Sequence, residues 1–127
     1  MSNRPSQLPK NYTGISITPD NGKIDITMNV MEKLGYPRYV EFGKFNNKFM
    51  SIIPAKPNDE DSFKINVGNK GGHYVCSVDL VRDIFETFNI KRIVTDRCSP
   101  FYFVTEAKIN GKYGVLVQMN NFKDRSL

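Results

Sequence analysis

The chain has 127 residues, of which 39% are hydrophobic and only two are cysteines. This length fits a single domain whose core needs neither a disulfide nor a structural metal. The absence of a long apolar run and of an N-terminal signal pattern predicts a cytoplasmic protein that does not enter a membrane. The net charge of +5 favours acidic partners such as nucleic acids.

The N-terminal quarter predicts an arm followed by a hairpin. Residues 1–12 are polar and hold two prolines, which indicates a flexible basic arm. Isoleucines then alternate with polar residues over 15–18 and 24–27. The Asp-Asn-Gly sequence between these runs is typical of a turn, so we expect two antiparallel strands.

A short helix is predicted next. Its apolar side chains recur every three or four positions, beginning at Met28 and ending at Leu34, with Thr27 or Asn29 as the N-cap. Gly35 suits the position after the last helical residue, and the proline that follows blocks any continuation. Two turns of helix are not stable alone, so this helix must pack on a sheet.

A second hairpin and a linker complete the first half. Strands are predicted over residues 38–45 and 49–53, separated by an Asn-Asn turn, and Pro54 is expected to end the second strand. The acidic residues 57–62 that follow are predicted to be a linker.

The second half follows a similar plan. Ser77 is a good N-cap, and Val78 begins a run of apolar residues at helical spacing. Asn110-Gly111 is a strong hairpin signal. The predicted elements are strands over 63–67, 73–76, 93–94, 101–109 and 112–119 and a helix over 78–88, before a polar tail at 120–127.

The two halves share the order strand, helix, strand, turn, strand. We therefore predict an α+β fold: a small, mostly antiparallel β-barrel or sheet made of two strand-helix-hairpin units, residues 13–56 and 63–119, with two short helices. Either the chain contains a degenerate duplication, or a common supersecondary unit recurs in it by chance.

Residues 22–55 (GKIDITMNVMEKLGYPRYVEFGKFNNKFMSIIPA) resemble the swapped-hairpin motif of the AbrB/MazE/SpoVT transcription factors and antitoxins. The matching features are a Gly-led strand, a helix ending in Leu-Gly, a Val-Glu-Phe strand and a return strand ending in Pro. In this chain they are Gly22-Lys23-Ile24-Asp25-Ile26, Lys33-Leu34-Gly35, Val40-Glu41-Phe42 and Ile52-Ile53-Pro54. As a whole the chain is also similar to small, uncharacterised proteins of low-GC Firmicutes and their phages, a likeness that implies no activity.

The resemblance implies a regulatory protein that binds double-stranded DNA. In the family two such motifs interlock into one barrel, normally as a homodimer; here the chain could supply both motifs itself, as a monomeric pseudo-dimer. The resemblance places the DNA-facing basic groups on the N-terminal strand, its turn and the paired turn of the other half. By position these are Lys10, Lys23, Arg38, Lys91, Arg92 and Arg97. The alternative for each is a solvated basic rim.

No arrangement of residues predicts catalysis, a metal or a cofactor. The single histidine, His73, adjoins a glycine-rich loop that lacks the Gly-Lys-Ser/Thr ending of a phosphate-binding loop. Cys76 and Cys98 form no CxxC pair and are expected to be half-buried thiols. The acidic run 59–61 lacks calcium-loop spacing. We therefore expect a non-enzymatic protein.

A second hypothesis is a protein-binding module that modulates a host protein without binding nucleic acid. Exposed tyrosines would suit such a surface. Those expected on the surface are Tyr12, Tyr36, Tyr39 and Tyr102. Strand alternation places Phe101 and Phe103 in the core and Tyr102 on the opposite, wet face, although aromatic residues on a sheet can also stack on single-stranded nucleic acid.

Overall fold

The computed structural model describes residues 13–90 and 100–124, which contain nine strands and two helices. In chain order these are β1 (Gly14–Thr18), β2 (Lys23–Ile26), α1 (Met28–Leu34), β3 (Tyr39–Lys44), β4 (Phe49–Ala55), β5 (Phe63–Lys64), β6 (Asn66–Val67), β7 (His73–Cys76), α2 (Val78–Thr87), β8 (Pro100–Ile109) and β9 (Lys112–Asp124). The predicted elements at residues 1–12 and 93–94 lie outside the described residues.

The strands form one sheet in the order β5-β3-β4-β9-β8-β1-β2-β7-β6, with antiparallel pairing at every described contact. Its two outermost strands are consecutive in the chain, since only Ile65 separates them. The amide of Ile65 donates to the carbonyl of Arg38 at 2.8 Å. Both edges of the sheet therefore belong to residues 63–67, and the sheet curls into a nearly closed barrel. The predicted small α+β, mostly antiparallel fold is confirmed at this level.

The barrel core is aliphatic and is drawn from both halves of the chain. Buried isoleucines and valines from β1, β2, β4, β7 and β9 meet inside, joined by the inner faces of both helices. Its most deeply buried large side chains are Ile15, Ile17, Ile24, Met31, Met50, Ile52 and Tyr102.

The first helix occupies the predicted residues. α1 buries Val30, Met31 and Leu34, and Gly35 follows in the left-handed conformation. Met28, which the spacing placed on the inner face, is instead 48% exposed because it lies in the first turn, at the outer end of the helix. α1 packs against β9, and its Lys33 lies 3.5 Å from a carboxylate oxygen of Glu106 on β8.

The second helix begins where the sequence predicts. The hydroxyl of Ser77 accepts a hydrogen bond of 3.1 Å from the amide of Leu80. Leu80, Val81 and Ile84 are buried, whereas Val78 is 57% exposed. The prediction that Val78 faces the core was therefore wrong, because the buried stripe begins one turn into α2.

The largest departure from the predicted pattern is at the start of β8. Tyr102 is completely buried and Phe103 is half-buried, the reverse of the predicted alternation. The β8–β9 ladder is irregular at this point, since Tyr102 pairs with Phe122 whereas Val104 pairs with Val117, and an irregular register breaks the simple alternation of faces. Tyr102 is consequently a core residue and not an exposed aromatic.

Two strands, β4 and β9, extend further than predicted. Pro54 pairs with Val40 inside the β3–β4 ladder, and β4 continues to Ala55. Strand β9 continues to Asp124, so part of the predicted polar tail is strand. The acidic residues 57–62 form a tight turn, in which Asp59 accepts hydrogen bonds from the amides of Lys56 and Ser62.

The strand pairs have an internal symmetry. Exchanging β1 with residues 63–67, β2 with β7, β3 with β8 and β4 with β9 reproduces the same set of pairs. The β3–β4 hairpin lies between β5 and β9, and the β8–β9 hairpin lies between β4 and β1. Each hairpin of one half is thus flanked only by strands of the other half.

Candidate nucleic-acid interface

Two of the six residues predicted to bind DNA lie in the described part of the chain. Lys23 begins β2, and Arg38 is an exposed residue that immediately precedes β3. Strand β7 and residues 63–67 lie between them, so three inter-strand steps of about 4.8 Å separate their strands. The other four predicted positions, Lys10, Lys91, Arg92 and Arg97, lie outside the described residues.

Lys23 is already engaged by its neighbours. Its ammonium nitrogen lies 3.6 Å from a carboxylate oxygen of Asp25 and 4.7 Å from the ring centroid of Tyr74, which stands on the adjoining strand β7. The aspartate balances part of the lysine charge. Lys23 is therefore a weaker candidate for binding phosphate than an exposed lysine with no acidic neighbour.

The net charge of the protein is unevenly distributed. Residues 13–90 and 100–124 contain twelve Lys or Arg and twelve Asp or Glu, so this part of the chain is neutral. The whole excess of +5 falls on residues 1–12, 91–99 and 125–127, which hold six basic residues and one acidic residue. The electrostatic attraction predicted from composition therefore originates from segments outside the described residues.

Within the barrel, positive charge is concentrated at two hairpin tips. Residues 44–49 read Lys-Phe-Asn-Asn-Lys-Phe, and residues 108–113 read Lys-Ile-Asn-Gly-Lys-Tyr. The two hexapeptides are identical at three positions, and neither contains an acidic residue. We call residues 44–49 the first tip and residues 108–113 the second tip. Sequence reasoning identified both as ordinary turns and missed the repeated pattern, which was readable in the printed sequence.

The first tip is exposed and internally braced. Residues 44–48 are all exposed, including the ring of Phe45 at 52%. The side-chain oxygen of Asn46 accepts hydrogen bonds from the amides of Lys48 and Phe49 at 2.8 and 2.9 Å. The carbonyl of Lys48 accepts from the amide of Met119 at 2.7 Å, which attaches the tip to β9. Both lysines therefore project from a fixed turn.

The second tip is a tighter turn with the same chemistry. Asn110 and Gly111 both have positive φ, as a two-residue hairpin turn of the I′ type requires. Lys108 and Lys112 are exposed, and Tyr113 is 72% exposed. The ammonium of Lys108 lies 5.2 Å from the ring centroid of Tyr113. An exposed aromatic ring beside two lysines thus occurs at both tips.

The two tips lie at opposite ends of the sheet. Strands β4 and β9 are antiparallel neighbours, and each begins at its own tip. Phe49 of the first tip pairs with Gln118, six residues along β9 from Lys112 of the second tip. At about 3.4 Å per residue the tips stand at least about 20 Å apart along the strands.

Helix α2 is flanked by two cavities. One, of about 250 Å³, lies between α2 and the β3–β4 hairpin and is lined by Phe42, Phe63, Phe88 and other apolar residues, with Lys44, Asp61 and Asp83 among its polar groups. The other, of about 470 Å³, lies between α2 and Pro19. Lys44 of the first tip therefore stands at the rim of a mostly apolar cavity.

A separate rim of the barrel exposes apolar and aromatic groups. The hydroxyl of Tyr36 donates to the sulfur of Met28 at 3.4 Å, and the Tyr36 and His73 ring centroids lie 6.4 Å apart. Val67, which pairs with His73, is 63% exposed. We call Met28, Tyr36, Val67 and His73 the aromatic rim.

The tyrosines predicted to be exposed differ in their environments. Tyr36 is 52% exposed, Tyr39 is half-buried, and Tyr102 is in the core. Tyr12 lies outside the described residues. Of the three expected exposed tyrosines that the structure describes, Tyr36 thus fits the hypothesis of a protein-binding surface best.

The structure describes one of the two cysteines of the chain, Cys76. The thiol of Cys76 is exposed, contrary to its expected half-burial, because it stands on the outward-facing side of β7 and donates to the carbonyl of Asn21 at 3.6 Å. The predicted thiol Cys98 lies outside the described residues. Within residues 13–90 and 100–124, no group of three His, Cys, Asp or Glu is close enough to hold a metal ion.

No helix in the same two described ranges is long and apolar enough to cross a membrane. Comparison with protein-family models, with curated proteins and with solved structures gives no match for this chain.

Proposed function

We propose that this chain is a non-enzymatic, AbrB-like regulatory protein that binds double-stranded DNA as a single-chain pseudo-dimer. The observation that carries the proposal is the exchange symmetry of the strand pairs. Two swapped hairpin units in one barrel would place every hairpin between strands of the other unit. In the described sheet the β3–β4 and β8–β9 hairpins each lie between strands of the other half, which supports the proposal.

The pairing between equivalent strands supports a duplication. Strand β2 pairs antiparallel with β7, and β4 pairs antiparallel with β9. A two-fold axis that relates the units must pass between equivalent strands and make them antiparallel. Chance recurrence of a strand-helix-hairpin unit would impose no such relation on the pairing.

The charge distribution supports an acidic partner. Residues 91–99, which contain Arg97, immediately precede β8 in the chain, and residues 125–127, which contain Arg125, immediately follow β9. Together with residues 1–12, these segments carry the whole net charge of the chain. Basic segments beside a neutral barrel would contact the phosphate backbone of a duplex, which is the sequence-independent part of DNA binding.

The proposal is tested by duplex binding at several salt concentrations. The logarithm of the binding constant should fall linearly with the logarithm of salt between about 50 and 200 mM, with a slope set by the number of neutralised phosphates. A variant with Lys10, Lys23, Arg38, Lys91, Arg92 and Arg97 changed to Gln should show a shallower slope and weaker binding. Absence of binding by the unmodified chain at low salt would falsify the proposal.

The aromatic rim favours a second candidate, a module that binds a host protein. Tyr36 has a φ of 54°, a conformation that costs a bulky residue about 1 kcal/mol or more, and yet its ring is exposed. Exposed tyrosine and methionine are typical of protein interfaces.

Tyr36→Asn tests this candidate because Asn tolerates positive φ and removes the ring. The variant should stay folded and lose a stoichiometric protein partner while it keeps any DNA binding. A partner that Tyr36→Asn retains would contradict a role for the rim.

A further inference from the structure

We propose that the two hairpin tips are two separate duplex-binding ends, with which one chain can bridge two segments of DNA. This inference rests on the proposed DNA-binding function and extends it to sites that the six predicted residues do not include. It starts from the recurrence of Lys, Asn and Lys in the same positions of residues 44–49 and 108–113.

The chemistry of each tip fits nucleic acid. Each tip presents two exposed lysines and no carboxylate, so each is a local charge of +2 on an otherwise acidic remainder of the described chain. Asn110 adds an amide side chain, a residue type that pairs with adenine edges, whereas the side-chain oxygen of Asn46 is engaged within its own turn. A two-stranded β-ribbon has the width that the major groove of B-DNA accepts. Lysine contacts to phosphate would position such a ribbon.

The exposed aromatic rings strengthen the assignment. Phe45 and Tyr113 expose 52% and 72% of their surface, although Phe45 directly follows β3 and Tyr113 lies in β9, and both strands have buried residues. Solvation of these rings contributes nothing to the barrel core. Beside lysines, an aromatic ring can contact thymine methyl groups or pack against unstacked bases.

The opposite placement of the two tips supports the inference that one chain bridges two duplex segments. Because β4 and β9 run antiparallel from their respective tips, the tips project from opposite ends of the sheet. Two ribbons that point away from each other cannot enter the same groove. Each tip is therefore free to engage a different duplex segment, and both lysine pairs of one chain are needed to hold two segments together.

The test measures capture of a fluorescent duplex by an unlabelled duplex fixed on beads, with the full chain as the only link. Two double variants are compared. One carries Lys44→Gln and Lys48→Gln, and the other carries Lys108→Gln and Lys112→Gln. Each should still bind one duplex through its intact tip with an unchanged salt slope, and the number of duplexes bound per chain should fall from two to one. Each should also lose capture of the second duplex.

The matched control is the double variant Lys64→Gln and Lys70→Gln, which removes two exposed lysines away from the tips. It should bridge as well as the unmodified chain. Equal loss of bridging in the control, or bridging that survives in either tip variant, would overturn the inference. A sedimentation run of the protein with one duplex separates bridging by one chain from bridging by a dimer, and a requirement for the dimer would also overturn it.

The outcomes separate this inference from the function on which it rests. Salt-dependent binding of single duplexes without any bridging removes the inference and leaves the proposed function. No duplex binding at low salt removes both. If the chain binds anionic phosphatidylserine vesicles through its tips and does not bind duplex, the tips contact a lipid surface, and this result would overturn the inference.

Discussion

Gly22 lies directly against the start of α2, where a Cβ on Gly22 would stand 2.6 Å from the amide nitrogen of Val78. The carbonyl of Gly22 also accepts a hydrogen bond of 2.8 Å from the amide of Ser77. The turn that connects β1 and β2 thus supports the first residues of α2, which belongs to the other half of the chain. No side chain fits between these two backbone segments.

Gly22→Ala should therefore destabilise the protein strongly. The residue has a φ of +66°, so alanine incurs about 1 kcal/mol of left-handed strain, and overpacking against α2 adds about 1–3 kcal/mol. Gly35→Ala is the matched control, because Gly35 has a φ of +80° with no atom within 4 Å of a Cβ. Urea unfolding should show a loss of about 1 kcal/mol for the control and about 2–4 kcal/mol for Gly22→Ala. Equal losses would contradict the steric role of α2.

Local signals in the sequence predicted the elements that depend on neighbouring residues. Helix α1 has the predicted bounds because apolar spacing, Gly35 and a proline all act within a few residues of it. The turn at Asn110-Gly111 was predicted for the same reason. Such features need no knowledge of distant partners.

Relationships between distant residues were not predictable in this way. The register shift at Tyr102 depends on pairing with both β1 and β9, and the closure at Ile65 joins β3 to β7 through one segment. Of the predicted DNA-binding residues, Lys23 is engaged by Asp25 and Tyr74, a contact set by the pairing of β2 with β7. The candidate tips were visible as a repeated hexapeptide, but their opposite placement follows only from the antiparallel β4–β9 pair.

The buried hydroxyl of Tyr102 predicts a loss of stability at alkaline pH. Burial raises the pKa of Tyr102 to about 12 from an ordinary value of 10.0, because the phenolate is poorly solvated in the core. The unfolded chain therefore releases this proton first as the pH rises. The free energy of unfolding is therefore unaffected by the ionisation of Tyr102 below pH 10. It falls between pH 10 and about 12, by up to about 1.4 kcal/mol per pH unit.

Urea unfolding across this pH range measures the effect, with Tyr102→Phe as the control. The variant lacks the ionisable hydroxyl, so its stability should fall less steeply than that of the unmodified chain. Ultraviolet absorbance should also show one tyrosine of the six ionising late in the folded protein. Parallel stability curves for the two chains would disprove the assignment of this loss to Tyr102.

The Ser77 side chain should contribute measurably to the stability of α2. Its hydroxyl accepts a hydrogen bond from the amide of Leu80. This amide is one of those in the first turn of α2 that have no hydrogen-bond partner within the helix. Ser77→Ala should cost about 1 kcal/mol, whereas Ser77→Gly should cost only a few tenths of a kcal/mol. Thermal unfolding of both variants distinguishes the cap from side-chain bulk, and a larger loss for the glycine variant would argue against the cap.

The interlocked strands predict that neither half of the chain folds as a monomer. The β3–β4 hairpin is flanked by β5 and β9, so a fragment that ends in the acidic turn at residues 57–62 lacks both neighbours. A lone hairpin pair with open edges is marginal in water. Fragments cut within that turn should each lack a cooperative unfolding transition, and an equimolar mixture should regain one with the far-ultraviolet dichroism of the intact chain. A fragment that unfolds cooperatively as a monomer at micromolar concentration would show that its half has a core of its own, and the interlocked description would then be wrong.

The intact chain, which holds both halves, should sediment as a monomer without DNA, since all equivalent strands already pair within it.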